Sequence, residues 1–440
     1  MESWVRGLEL AGEALLSLAL NPFYYIGLLL VILLFRRQTL LERKLFYVRS
    51  HRMLGEFLLS LGWSWLAGLV VSAATAGFGL LLTMEAVWWI WGITVVLLAV
   101  RIRYACIAYA AAIIGLLQTI GKLFPQVAEA KGIEDFVASL LNIHLPSLFA
   151  LAALLHLAEA ILIRLQGVRT ATPLYVGGKR GKVVGAYEWQ SYWTLPLFIV
   201  VPAAAGDGMA GMPWPMFFGD MQWNAGWSLL AFPALIGFTG TTATELPKRK
   251  TAQLAKASLL FALLLGLLAV GAEWLSYVAI GAAGVSFVLH ELLIRYDSRR
   301  EQNRSPVFVH GPRGLKVLDV QPGSPAADMG IVRGETVVKA NGMPVGAKDE
   351  LHAALRLNSA FCKLEVIDLN GQNRFTQRAL YDGEHHQLGL VLCPDDSVIH
   401  YVEWKPLTIA SLIGIKRKGR VPSGWEAQTQ VQEEGSESVI

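Results

Sequence analysis

The stretch Val320-Gln321-Pro322-Gly323-Ser324-Pro325-Ala326-Ala327-Asp328-Met329-Gly330-Ile331-Val332-Arg333-Gly334-Glu335 decides how the C-terminal third of the chain reads. Pro322-Gly323 makes a turn. Ser324 can cap a short helix whose first position suits Pro325. Ala326 follows inside it, and Gly330 to Gly334-Glu335 makes a second turn. Working outward, Gly314–Val320 alternates as a strand, and Thr336–Ala340 reads as another. Asn341-Gly342 is a strong two-residue hairpin signal. Asp349-Glu350 opens a helix over 349–358 that puts Leu351 and Leu355 on one face. Cys362–Asp368 is a further strand, Asn370-Gly371 a further hairpin, and Phe375–Leu380 its return. Short strands around one helix predict a small α+β domain over 305–395.

This pattern resembles a bacterial PDZ domain, with Glu335 where Asp is usual. A PDZ domain adds an extended peptide to a sheet edge and takes its terminal carboxylate on the N–H groups of a loop reading apolar-Gly-apolar. Leu388-Gly389-Leu390 is the best match to that loop, and Gly314-Leu315 is the rival. If the former holds, the peptide-binding strand is 390–393, including Val391, and lies beside helix 349–358. His385 and His386 read as solvated turn residues rather than ligands.

The remainder has a different composition. Of 440 residues, 54% are hydrophobic and 16% charged, against roughly 25% charged in an ordinary soluble domain. That excludes a disordered chain and an ordinary soluble enzyme and predicts a membrane protein. A net charge of +4 implies no nucleic-acid partner. Three cysteines without CxxC spacing exclude a disulfide scaffold and a cysteine zinc site. Apolar runs predict spans at 15–35, 57–82, 86–100, 104–120, 146–165, 193–205, 226–243, 255–272 and 275–294. Two are short, so the fold class is a polytopic α-helical membrane domain of eight or nine transmembrane helices followed by the PDZ-like domain. The first span is no cleavable leader, since Asn21-Pro22 interrupts it, and 3–20 reads as an interfacial helix. Basic residues alternate between loops. Arg36, Arg37, Arg43, Lys44, Arg49 and Arg52 follow the first span, and Arg295, Arg299, Arg300 and Arg304 follow the last. The positive-inside rule therefore predicts a cytoplasmic C-terminal domain.

Ionisable residues inside spans are costly and few here. His156 and Glu159 share a helix face, and His290 and Glu291 end the last span. They read as polar groups satisfying one another across helices. An intramembrane metalloprotease needs HExxH, but Ile294 stands where the second His belongs. There is no GxSxG, P-loop or GxGxxG. The expectation is no enzyme, no catalytic residue, no metal and no cofactor. The reading divides the chain into 1–294 (membrane), 295–304 (basic linker), 305–395 (PDZ-like) and 396–440 (a basic then acidic, disordered tail). The end, Ser438-Val439-Ile440, has the form of a PDZ ligand, so self-occupation of the groove is one hypothesis.

The arrangement resembles MinJ-like membrane proteins of rod-shaped Gram-positive bacteria. Its carriers are Asn21-Pro22-Phe23-Tyr24-Tyr25, Phe35-Arg36-Arg37, His290-Glu291-Leu292, the run from Cys362 to Gly371, and His385 to Leu390. The resemblance implies a non-enzymatic adaptor of the bacterial cytoplasmic membrane, enriched at septa and poles. It would link a DivIVA-like scaffold to MinC- and MinD-like inhibitors in division-site placement, and a homo-oligomer stays open. The alternatives are a recruiting subunit of a membrane protease or secretion machine and, behind it, a transporter using His156, Glu159 and a broken seventh span.

Overall fold

The structure, a computed structural model, describes residues 2–46, 53–80, 82–124, 126, 132, 134–178, 181–202, 217–218, 226–358, 360–381, 388–395, 398, 401–402 and 408–412. The N-terminal helices are α1 (Glu2–Leu20), α2 (Pro22–Phe46), α3 (Met53–Phe78), α4 (Met84–Val100), α5 (Ile107–Leu123), α6 (Glu134–Leu141) and α7 (Leu145–Gln166). Three strands follow: β1 (Thr172–Gly177), β2 (Val183–Pro202) and β3 (Trp227–Thr242). Helices α8 (Pro247–Trp274) and α9 (Ser276–Asn303) come next. Among the described residues, α2, α3, α7, α8 and α9 are long and apolar enough to cross a membrane, while α4 and α5 are shorter apolar helices. Asn21 separates α1 from α2, its Oδ1 accepting the Phe23 N–H at 3.0 Å, so the first apolar helix begins at Pro22 rather than residue 15.

Two expected spans are corrected. Residues 193–205 and 226–243 do not form helices. They lie in β2 and β3, which pair antiparallel from Tyr187↔Thr242 to Pro202↔Trp227. Pro196 and Pro202 inside a helix would each cost about 3 kcal/mol. In the hairpin, Pro196 stands opposite Pro233. Two residues without N–H donors can face each other where the ladder needs no bond between them. The rest of both runs is rich in Val, Ile, Phe, Trp, Tyr and Thr, which suit a pleated surface. The broken seventh span that supported a transporter is therefore a strand.

An open sheet edge among apolar helices is expensive unless its backbone groups find partners. Beyond Glu188, β1 no longer pairs with β2. Helix α3 covers that edge: Ser72 Oγ accepts the Phe198 N–H at 2.8 Å. Gly68 lies so close to the Pro196 carbonyl that a Cβ would overlap it. Trp189, Trp193, Leu195 and Leu197 of β2 are fully buried in the largest apolar cluster.

The expected linker 295–304 is also corrected, because α9 runs through it to Asn303. Its charges are used internally. Glu301 accepts the backbone N–H groups of Ala243 and Thr244 at 2.7 and 3.0 Å, closing the end of β3. Lys250, almost fully buried, pairs with Asp297 at 2.6 Å. Glu245 pairs with Arg300 at 3.1 Å and with Arg304.

The C-terminal elements are β4 (Leu315–Val320), α10 (Pro325–Asp328), β5 (Thr336–Ala340), β6 (Met343–Pro344), α11 (Lys348–Arg356), β7 (Phe361–Ile367), β8 (Asn373–Ala379) and β9 (Leu390–Leu392). The sheet order is β8-β7-β5-β4-β9, with β6 on β5. Helix α12 (Ile409–Leu412) follows. Asn341 and Gly342 have φ of 50° and 86°, the mirror-image turn expected of their sequence. The Asn341 amide donates to the Ala354 carbonyl at 3.0 Å and accepts the Lys363 N–H at 2.9 Å, tying hairpin, α11 and β7 together.

One face of this sheet is docked on the N-terminal part. Leu318, Val391, Cys393 and Phe308 belong to the same cluster as Tyr187 and Trp189. Tyr187 donates its hydroxyl to the Leu318 carbonyl, and Gly185 N–H donates to Phe308 at 2.8 Å. Arg333 pairs with Asp319 at 2.6 Å and reaches the Val168 carbonyl at 3.1 Å.

Candidate peptide-binding site

The site is built on the turn quoted first. Ser324 Oγ accepts the Ala327 N–H at 3.3 Å, Pro325 opens the helix, and Ala326 is fully buried. Gly323 and Gly334 have φ of 71° and 93°, which favour glycine after Pro322 and before Glu335. Glu335 is buried, accepts the Val332 N–H at 2.9 Å and pairs with Arg374 at 2.9 Å. A buried carboxylate needs both kinds of partner, and here it pins the second turn to β8.

The loop Leu388-Gly389 packs against this turn. The Leu388 carbonyl accepts Ala326 N–H at 3.0 Å, and the Gly389 carbonyl accepts Gln321 N–H at 2.8 Å. Gly389 has φ of 77°, and a Cβ there would overlap Ser324. Both loop carbonyls are thereby committed to the turn. The rival Gly314 does not occupy this place: it lies beside the Val337 carbonyl of β5.

From the loop the chain enters β9, at one end of the sheet. Gly389 and Cys393 both bond toward β4, through Gln321 N–H and the Lys316 carbonyl. Alternation along a strand then turns the N–H and C=O groups of Leu390 and Leu392 outward, toward an edge that no strand among the described residues covers. One outward group is already taken: Tyr175 of β1 donates its hydroxyl to the Leu392 carbonyl at 2.8 Å. Leu351 and Leu355 of α11 share an apolar cluster with Leu388, and Leu390 and Leu392 pack against it. Val391 points to the other face, into the docked core, so it does not join the other residues expected in the groove. His385, His386 and the terminal Ser438, Val439 and Ile440 lie outside the described residues.

Residues 316–367 match the PDZ domain family. The chain is 29% identical over 396 residues to the cell division topological determinant MinJ of Bacillus subtilis strain 168, covering 89% of this chain and 96% of that protein. The chain is similar to MinJ along most of its length. Shorter matches run to probable cell division topological determinants MinJ of Lacticaseibacillus paracasei and Lacticaseibacillus casei strain BD-II. Each is 31% identical over 85 residues, which is 19% of this chain and 23% of the relative.

The chain thus combines apolar helices long enough to cross a membrane, a PDZ domain and similarity to cell-division proteins. Sequence reading missed Tyr175, because nothing local marks a tyrosine on β1 as the partner of a strand more than 200 residues later. It also missed Arg374, although an unpaired buried Glu335 would have demanded some cation.

Proposed function

We propose that this chain is a non-enzymatic membrane adaptor in division-site placement, whose PDZ domain recruits protein partners by strand addition to β9. The observation that carries the reading is the edge strand itself. Leu390 and Leu392 present backbone groups outward, Leu388-Gly389 sits at the end where a peptide's carboxylate would arrive, and Leu351 and Leu355 close the apolar side. Similarity to MinJ over nearly the whole chain supports the placement in division. The partners proposed are a DivIVA-like scaffold and MinC- and MinD-like inhibitors, at septa and poles, with the PDZ domain cytoplasmic, a reading that rests on the family resemblance of the sequence. Anchoring confines the groove to two dimensions, which raises effective concentration and lets weak contacts suffice.

The test is a titration of the full chain in lipid nanodiscs with labelled C-terminal peptides of DivIVA-like and MinD-like proteins, and with one ending Glu437-Ser438-Val439-Ile440. At least one should bind, and amidating its C-terminus should weaken it about tenfold or more, because a charge-assisted set of hydrogen bonds is lost. If none binds, or if amidation has no effect, the carboxylate-loop reading fails.

A further inference from the structure

Three residues from three separate elements meet in the N-terminal part, away from the groove. Cys106 lies between the 3-10 turn Ile102–Ala105 and α5, where its side chain makes no capping bond. His156 is in the middle of α7, and His290 is just past the middle of α9. The Cys106 Sγ is 3.2 Å from His156 Nε2, and one ligand atom from each of Cys106, His156 and His290 lies within 4.8 Å of the others.

The other side of each ring is held. His156 Nδ1 faces the Glu159 carboxylate at 3.1 Å. A carboxylate accepts, so Nδ1 carries the proton and Nε2 keeps its lone pair toward the sulfur. His290 Nδ1 is 2.9 Å from the Tyr109 hydroxyl, which itself donates to Glu291 at 2.7 Å. That hydroxyl therefore accepts from Nδ1–H, leaving His290 Nε2 as its ligand atom. Histidines oriented by a carboxylate, directly or through one hydroxyl, are the usual outer shell of a metal site.

We propose that Cys106, His156 and His290 bind one zinc ion. Zinc bonds of about 2.3 Å to sulfur and about 2.0–2.1 Å to imidazole, at tetrahedral angles, place neighbouring ligand atoms about 3.3–3.6 Å apart. With its ligand atoms within 4.8 Å of one another, the cluster needs a closure of at most about 1.5 Å to reach that. One thiolate and two imidazoles suit zinc, and blue-copper sites of similar composition commonly add an axial methionine. No methionine lines the adjoining cavity among the described residues. The charges also balance: the ion's two positive charges meet the thiolate and the Glu159 carboxylate in an interior where an unmatched charge is expensive. The cavity, about 1620 Å³, is lined by all three residues and by Glu159, so a fourth coordination position can take water or a small donor. No HExxH-type spacing marks this set, because its ligands are not neighbours in sequence: Cys106 and His156 are 50 residues apart.

The test uses the full chain purified in detergent. Metal analysis should find about one zinc per chain, removable by a chelator and restored by adding zinc. Cobalt substitution should give a thiolate-to-cobalt charge-transfer band. In Cys106→His, cobalt should still bind while that band disappears, a result that misfolding does not produce. Fewer than about 0.2 zinc ions per chain, both as purified and after adding zinc, would overturn the proposal. So would stoichiometric copper or iron in place of zinc, or zinc retained in the Cys106→Ala, His156→Ala, His290→Ala triple variant. Quantitative alkylation of Cys106 in zinc-loaded protein would also overturn it, since a coordinated thiolate is protected.

Discussion

Replacing Gly389 by alanine tests how the peptide loop is built. Gly389 sits at φ 77°, where an L-residue costs roughly 1–2 kcal/mol. The new Cβ would also overlap the Cβ and Oγ of Ser324. Ser324 must then give way and lose its cap on Ala327, worth about 1 kcal/mol. Together the loop against the turn should be weakened by about 2–3 kcal/mol, a roughly 30- to 150-fold rise in local opening. Hydrogen exchange on the full chain, read over 320–328 and 388–393, measures this directly. A second variant separates the two causes. Ser324→Gly removes the overlapped atoms, and glycine caps nearly as well as serine, within a few tenths of a kcal/mol. In that background Gly389→Ala should cost only the conformational part, giving a favourable coupling of about 1 kcal/mol. Strictly additive effects, or a Gly389→Ala cost below about 0.5 kcal/mol, would refute the packing of the loop on this turn.

Other outcomes follow from the same geometry. Tyr175→Phe removes the hydroxyl on the Leu392 carbonyl and should free a second outward position on β9; peptide affinity in nanodiscs should rise several-fold, and unchanged affinity would mean the contact does not limit the groove. Asn341→Ala puts at φ 50° a residue that tolerates the left-handed region less well than asparagine and breaks bonds to Ala354 and Lys363, so denaturant midpoints of the PDZ domain should fall by the equivalent of about 2–3 kcal/mol. Burial and then the neighbouring Lys348 hold the His352 imidazole below its ordinary pKa. A depressed histidine contributes stability above its unfolded pKa and loses it as pH falls through the folded one. Lowering pH from about 7.5 to about 5.5 should therefore weaken α11 modestly, and His352→Gln should flatten that dependence in hydrogen exchange.

What sequence reading captured and missed follows from the range of the interactions. The turns at 322–325 and 341–342 rest on local chemistry, and their strands and helix appear within a residue or two of expectation. The Glu335 departure was visible too, although its Arg374 partner was not. Apolar runs 193–205 and 226–243 have the composition of spans, and only the pairing of Pro196 with Pro233 and the cover from α3 reveal strands. That is tertiary information. The same holds for the contact of Tyr175 with β9 and for the meeting of Cys106, His156 and His290: the two histidines stand out in the sequence, but not that they converge on one cysteine. The run 295–304 reads as a basic linker from composition alone, whereas Arg300, Glu301 and Arg304 are partnered across α9, β3 and the turn before α8.

The central claim is that this membrane chain acts at division sites through its PDZ groove. Imaging a fluorescent fusion in the native host, beside a deletion strain, tests it most directly. Septal and polar bands, filaments or minicells on deletion, and loss of the bands in Leu355→Arg are the predicted result. A uniform membrane signal with normal division in the deletion strain would contradict the account.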